Sequence, residues 1–118
     1  STEEVAVAVA AACREPAATP RFVSLVTGCV HRLPHNGILS LGRKGDNELV
    51  VASSLVSSRH CVLFCRDGYV EVEDVSANGT FVNDTRLPKG FSLPQRVALR
   101  HGDRVALAHL RGPAFLFI

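Results

Sequence analysis

From Arg21 to its last residue the sequence predicts an all-β sandwich, and three observations point there. Val, Leu, Ile and Phe gather in runs of about four to seven residues, punctuated by Gly, Pro, Asn, Asp and Ser, as in short strands joined by turns. No apolar repeat of useful length follows a helical period. Asp67-Gly68, a pair suited to the positive φ angles of a two-residue hairpin, separates two such runs, and the second, Tyr69-Val70-Glu71-Val72-Glu73, alternates strictly.

Taken in order, residues 1–20 form a leader: the Ala- and Val-rich half is compatible with helix or strand, and Pro16 and Pro20 stop either. The domain runs over residues 21–118. Strands are expected at Phe22–Thr27, Ile38–Leu41, Glu48–Val51, Cys61–Arg66, Tyr69–Glu73, Thr80–Val82, Arg96–Leu99, Arg104–Ala108 and Ala114–Phe117. Asn36-Gly37 resembles a second tight turn and His101-Gly102-Asp103 another. The alternation from Tyr69 puts Val70 and Val72 on the core and Glu71 and Glu73 in water.

With 118 residues the chain has room for one domain and a core able to fold alone. Thirteen Lys and Arg against eleven Asp and Glu leave a net charge of +2, too little for the dense basic face of a nucleic-acid binder. A small anionic ligand fits that balance. The longest apolar run, Val5 to Ala12, is too short for a bilayer and lacks a signal peptide's basic flank, so no membrane partner is expected. Cys13, Cys29, Cys61 and Cys65 match neither a Cys-x-x-Cys clip nor a disulfide framework, which predicts reduced thiols and no metal or cofactor. Cys61 and Cys65, four apart in one strand, share a face as small apolar residues. These features describe a soluble, intracellular domain, nuclear or cytoplasmic. The chain has no Met and stops on Phe115-Leu116-Phe117-Ile118, so it reads as a module of something longer.

Three separated pieces fall at strand ends: Gly42-Arg43, Ser57-Ser58-Arg59-His60, and Asn78-Gly79-Thr80 with Asn83. A phosphate ester is close to a dianion near neutral pH and carries three strong acceptor oxygens, so its site wants a guanidinium and short hydroxyl donors. Arg43 and Ser57 supply them. Asn78 offers a donor and an acceptor on one rigid loop, which suits the main chain of an extended peptide.

In order and approximate spacing the three pieces resemble the motif set of forkhead-associated (FHA) domains, small β-sandwiches that bind phosphothreonine in partner proteins. The resemblance spans roughly Phe22 to Ile118. It implies two twisted, mainly antiparallel sheets with recognition loops at one end. It further implies that Arg43 and Ser57 bind the phosphate, with Ser58 and its backbone N–H beside them, while Asn78 holds the peptide main chain. Gly42 and His60 then support the loops, Gly79 takes a backbone position that a Cβ would strain, and Thr80 and Asn83 brace the loop. Many members carry Thr or Ser before the Asn; Ala77 stands there instead, so any contact from that position is main-chain only. Family members often select targets by the third residue after phosphothreonine, read from the loop that is Ala52 to Val56 here. That loop has no charge, so an apolar side chain against Leu55 is expected.

The implied function is non-catalytic: a phosphothreonine-dependent module that recruits its parent protein to phosphorylated signalling partners. The alternative is the same sandwich used for constitutive association or self-assembly. Two N-glycosylation sequons, Asn78-Gly79-Thr80 and Asn83-Asp84-Thr85, would suit a secreted sandwich, but no signal segment or disulfide pattern accompanies them. An enzyme reading of Ser57 and His60 lacks a nucleophile elbow and a carboxylate placed to orient the imidazole.

Overall fold

The computed structural model describes residues 19–89 and 93–118. Eleven strands occur there: β1 (Arg21–Ser24), β2 (Val30–Arg32), β3 (Asn36–Gly42), β4 (Leu49–Val50), β5 (Cys61–Arg66), β6 (Tyr69–Asp74), β7 (Thr80–Val82), β8 (Thr85–Arg86), β9 (Arg96–Ala98), β10 (Arg104–Leu107) and β11 (Ala114–Phe117). One sheet has the order β2-β1-β11-β10-β7-β8 and the other β4-β3-β5-β6-β9. Neighbours run antiparallel except β3 and β4, which are parallel.

Alternation along the strands builds the core between the sheets. Leu39, Leu41, Leu63, Val70 and Val72 point inward from one sheet, and Phe22, Val105, Leu107, Phe115 and Phe117 from the other. Phe22 stacks on Phe115 with ring centroids 5.0 Å apart and meets Phe117 edge-on, locking the β1–β11 pair. Cys61 and Cys65 are buried in that core as expected, and burial pushes the Cys61 thiol up to about 12.

All nine expected strands form, Cys61–Arg66, Thr80–Val82 and Ala114–Phe117 with the expected ends and the other six with adjusted ones. The first stops at Ser24, because its hydroxyl accepts from the Val26 and Thr27 amides and turns the chain. Glu48 lies outside β4; its carboxylate accepts from the Ser40 amide and hydroxyl at 2.8 and 2.9 Å, bonds that hold its pKa below the ordinary value. Two short edge strands, β2 and β8, went unrecognised: each is two or three residues long and exists by pairing with a neighbour. Asp67-Gly68 is the expected hairpin, with φ of 52° and 84°. Asn36-Gly37 is not a hairpin turn. It opens β3 opposite Arg66 and Cys65, and the Asn36 side chain accepts from the Asp67 amide. Val70 and Val72 face the core and Glu71 faces solvent, but Glu73 is half-buried beside Arg96, whose guanidinium also stacks over Phe64. Of the leader, residues 1–18 lie outside the described residues; the Pro20 carbonyl already accepts from Leu33.

Candidate functional site

The register of the second sheet gathers the three sequence pieces. Leu41 pairs with Cys61 and Cys61 with Asp74, so the chain leaves β3, enters β5 and leaves β6 at the same end of the sandwich. Gly42-Arg43, the segment ending in Ser57-Ser58, and the Ser76–Gly79 turn therefore become neighbours, though up to about 35 residues separate them in sequence.

Gly42 is fixed by space. A Cβ there would fall 2.2 Å from the Ser58 carbonyl oxygen and 2.7 Å from Asn47 Nδ2, and the first of these is backbone. This close approach lets the Arg43 amide donate to Ser57 O at 2.9 Å. Gly42→Ala should force the two loops apart and cost about 1–3 kcal/mol, as overpacking does, lowering the melting temperature measured by circular dichroism. Asn47, which sequence reasoning missed, is buried and donates through Nδ2 to Lys44 O at 2.8 Å and Ser58 O at 2.7 Å. Its only signal was its place in the turn-forming run Gly45-Asp46-Asn47.

Arg43 is exposed, and its Nε donates to Val56 O at 2.9 Å. That bond aims the side chain along the rim and leaves both terminal nitrogens as donors; among the described residues no carboxylate forms an ion pair with it. Ser57 is half-buried, and its hydroxyl oxygen accepts from the Ala77 amide at 3.0 Å, so the hydroxyl proton remains to be donated outward. The contribution from position 77 is thus a main-chain bond that shapes the site. Ser58 presents an exposed side chain while its carbonyl holds Asn47 and the Lys44 amide. Asn78, also exposed, donates one amide N–H to Leu55 O at 2.8 Å, and its other N–H and its oxygen have no hydrogen-bond partner among the described residues. The same bond fixes the loop that carries Leu55, whose side chain is half exposed.

His60 is completely buried beneath these loops. Nδ1 accepts from the Ser57 amide at 3.1 Å, so the proton sits on Nε2, which donates to the Gly79 carbonyl at 2.7 Å. Burial lowers its pKa from the ordinary value, the Gly79 carbonyl and Asp74 pulling the other way. Both ring nitrogens are committed to main chain. The imidazole faces the Ser57 amide rather than its hydroxyl, an arrangement that joins loops and offers no general base to Ser57.

The Asn78 turn is built from within. Asp74 Oδ1 accepts from the Ser76 amide at 3.1 Å, the Ser76 hydroxyl at 2.5 Å and the Thr80 hydroxyl at 2.8 Å, and Ser76 Oγ accepts from the Gly79 amide at 2.7 Å. Gly79 has φ +105°; that conformation, more than space, requires glycine, since the atom nearest a Cβ would belong to the flexible Arg86 side chain. Through its hydroxyl, Thr80 is tied to the carboxylate that also holds Ser76. Asn83 sits at the far end of β7 with φ 57°, where its side chain holds the Arg104 amide and the Asp103 carboxylate. It ties β7 to β10 at a distance from the recognition loops. Asp74 and Ser76 were also missed as organisers, although Asp-x-Ser spacing before a turn is their sequence signal.

Comparison with known proteins bears on the fold and the family. The chain is 31% identical over 78 residues to the serine/threonine-protein kinase fhkA of Dictyostelium discoideum, an overlap covering 58% of the chain and 12% of the kinase. It therefore corresponds to a small part of that protein's length. Among solved structures it is similar to Mycobacterium tuberculosis EmbR in complex with a low-affinity phosphopeptide, with TM-score 0.70, 25% identity, and coverage of 85% of this chain and 24% of that one. It shares its fold with the MEK1 FHA domain in complex with a HOP1 phosphothreonine peptide, with TM-score 0.71, 22% identity, and coverage of 86% and 96%. The FHA domain family model matches residues 39–108, more than half of the chain, from within β3 to just past the end of β10, and this chain belongs to the FHA domain family.

Proposed function

We propose that this domain is a non-catalytic, phosphothreonine-dependent peptide-binding module that recruits its parent protein to phosphorylated partners. The observation that carries the reading is the junction of Arg43, Ser57 and Asn78. Three loops distant in sequence are hydrogen-bonded into one rim, and each exposes a donor that is uncommitted among the described residues. The phosphate takes Arg43 and the Ser57 hydroxyl as charge-assisted donors, with Ser58 beside them. Asn78 takes the main chain next to the phosphothreonine. The Leu55 side chain, on the loop that Asn78 holds, meets a residue further along the peptide and favours an apolar one there.

A few charge-assisted bonds at about 1.5–3 kcal/mol each, less the ordering of the peptide, give micromolar affinity. The phosphothreonine methyl group is worth about 0.8 kcal/mol if buried, so phosphothreonine should exceed phosphoserine by about fourfold. Fluorescence anisotropy against an oriented phosphothreonine library, with phosphoserine and unphosphorylated controls, tests both statements and reads the preference opposite Leu55. Equal binding of the unphosphorylated peptides would replace this reading with constitutive association.

A further inference from the structure

We infer that Lys89, reaching back from the β8–β9 connection, is a positioning residue for peptide recognition: with Asp74 it sets the conformation of the turn that carries Ala77 and Asn78. The inference rests on the function proposed above and adds a residue outside all three sequence pieces.

The Asp74 side chain has no exposed surface, yet only one of its oxygens has hydrogen-bond donors. Oδ2 is buried and accepts no hydrogen bond among the described residues. Its compensation is the Lys89 ammonium at 3.4 Å, an ion-pair separation without a directed bond. The same ammonium donates to the Ser76 carbonyl. Lys89 therefore holds the turn twice, through the carboxylate that accepts from Ser76 and Thr80 and through the Ser76 main chain itself.

The next residue is Ala77, whose amide orients the Ser57 hydroxyl, followed by Asn78, whose amide fixes Leu55. A buried carboxylate with one oxygen unpaired is costly, so the turn has a strong reason to keep the arrangement in which Lys89 reaches it. The Lys89 side chain is 35% exposed and, among the described residues, makes no hydrogen bond or ion pair with the groups proposed to meet the ligand, so its effect on binding would pass through the turn.

Lys89→Met and Lys89→Arg separate this role from general stabilisation. Amide hydrogen exchange of the free protein, followed by NMR, should show Ala77 and Gly79 exchanging about tenfold faster in Lys89→Met relative to the β5 and β6 amides. Phosphothreonine-peptide affinity should fall by about five- to tenfold, and Lys89→Arg should restore both readouts. The inference is overturned if turn and strand amides accelerate by the same factor, if Ala77 and Gly79 are unaffected, or if the turn loosens while the peptide binds unchanged. If the wild-type domain binds no phosphothreonine peptide, the proposed function fails, and the exchange result alone then decides whether Lys89 positions the turn.

Discussion

Replacing Arg43 with Ala should weaken phosphothreonine-peptide binding by about 100-fold, equivalent to roughly 2.7 kcal/mol, with a melting temperature close to wild type. The two readouts separate because of where the side chain lies. Arg43 is exposed, and its bond to Val56 O is the one hydrogen bond its side chain makes within the fold among the described residues. The loop contact that matters for stability, from the Arg43 amide to Ser57 O, is main-chain and survives the substitution. Lysine at this position keeps the charge but not the planar fork, so it should recover part of the affinity and not all. Calorimetric titration of the three proteins with one peptide is sufficient, and wild-type affinity in Arg43→Ala would remove the guanidinium from the site.

His60→Ala should act on folding and binding together. The substitution empties a fully buried position and leaves the Ser57 amide without its acceptor, while the Gly79 carbonyl loses one of two donors and keeps the Ala108 amide. Unpaired buried polar groups cost about 1–3 kcal/mol each, and for a domain of this size each kcal/mol lowers the melting temperature by about 4–8 °C. A fall of roughly 10 °C or more is expected, with weaker peptide binding because Ser57 and Gly79 flank the recognition loops. Unchanged thermal stability would mean that the imidazole does not join those loops.

The same residue predicts a pH dependence. Burial depresses the folded-state pKa of His60, so the unfolded chain binds a proton more readily than the folded one. The stability it contributes is fully present above the ordinary histidine value near 6.5 and is lost as pH falls through the lower folded value. Protonation would also turn Nδ1 from acceptor to donor against the Ser57 amide. Chemical denaturation between pH 7.5 and about 5 should therefore show wild-type stability declining, with a shallower slope in His60→Ala. Glu48, whose carboxyl is also depressed, contributes in the same sense but only in the carboxylate range, so the two effects fall in different windows.

The strands were legible because alternation and turn chemistry are local. Val70 and Val72 announce an inward face by their spacing, and Asp67-Gly68 announces its hairpin by tolerating positive φ. Gly42-Arg43, Ser57-x-x-His60 and Asn78-Gly79-Thr80 could be recognised as pieces of one site because their types and order carry a chemical meaning. Asn36-Gly37 misled for the opposite reason: a pair that suits a turn was drawn into β3 by its pairing with β5. Residues such as Asn47 and Lys89 left little trace, since nothing in their neighbourhood says which distant carbonyl or carboxylate they will reach.

By itself, then, the sequence determined the all-β architecture, the inward faces of the strands, and the residue types able to meet a phosphorylated peptide. Only the tertiary structure decided that β4 runs parallel to β3, that β2 and β8 exist, that His60 carries its proton on Nε2, and that Asp74 and Lys89 both bond to Ser76 in the Asn78 turn. The division has a physical origin. Period and turn preference are written in adjacent residues, whereas a hydrogen bond or ion pair across 13 to 23 residues depends on the register in which the sheets close.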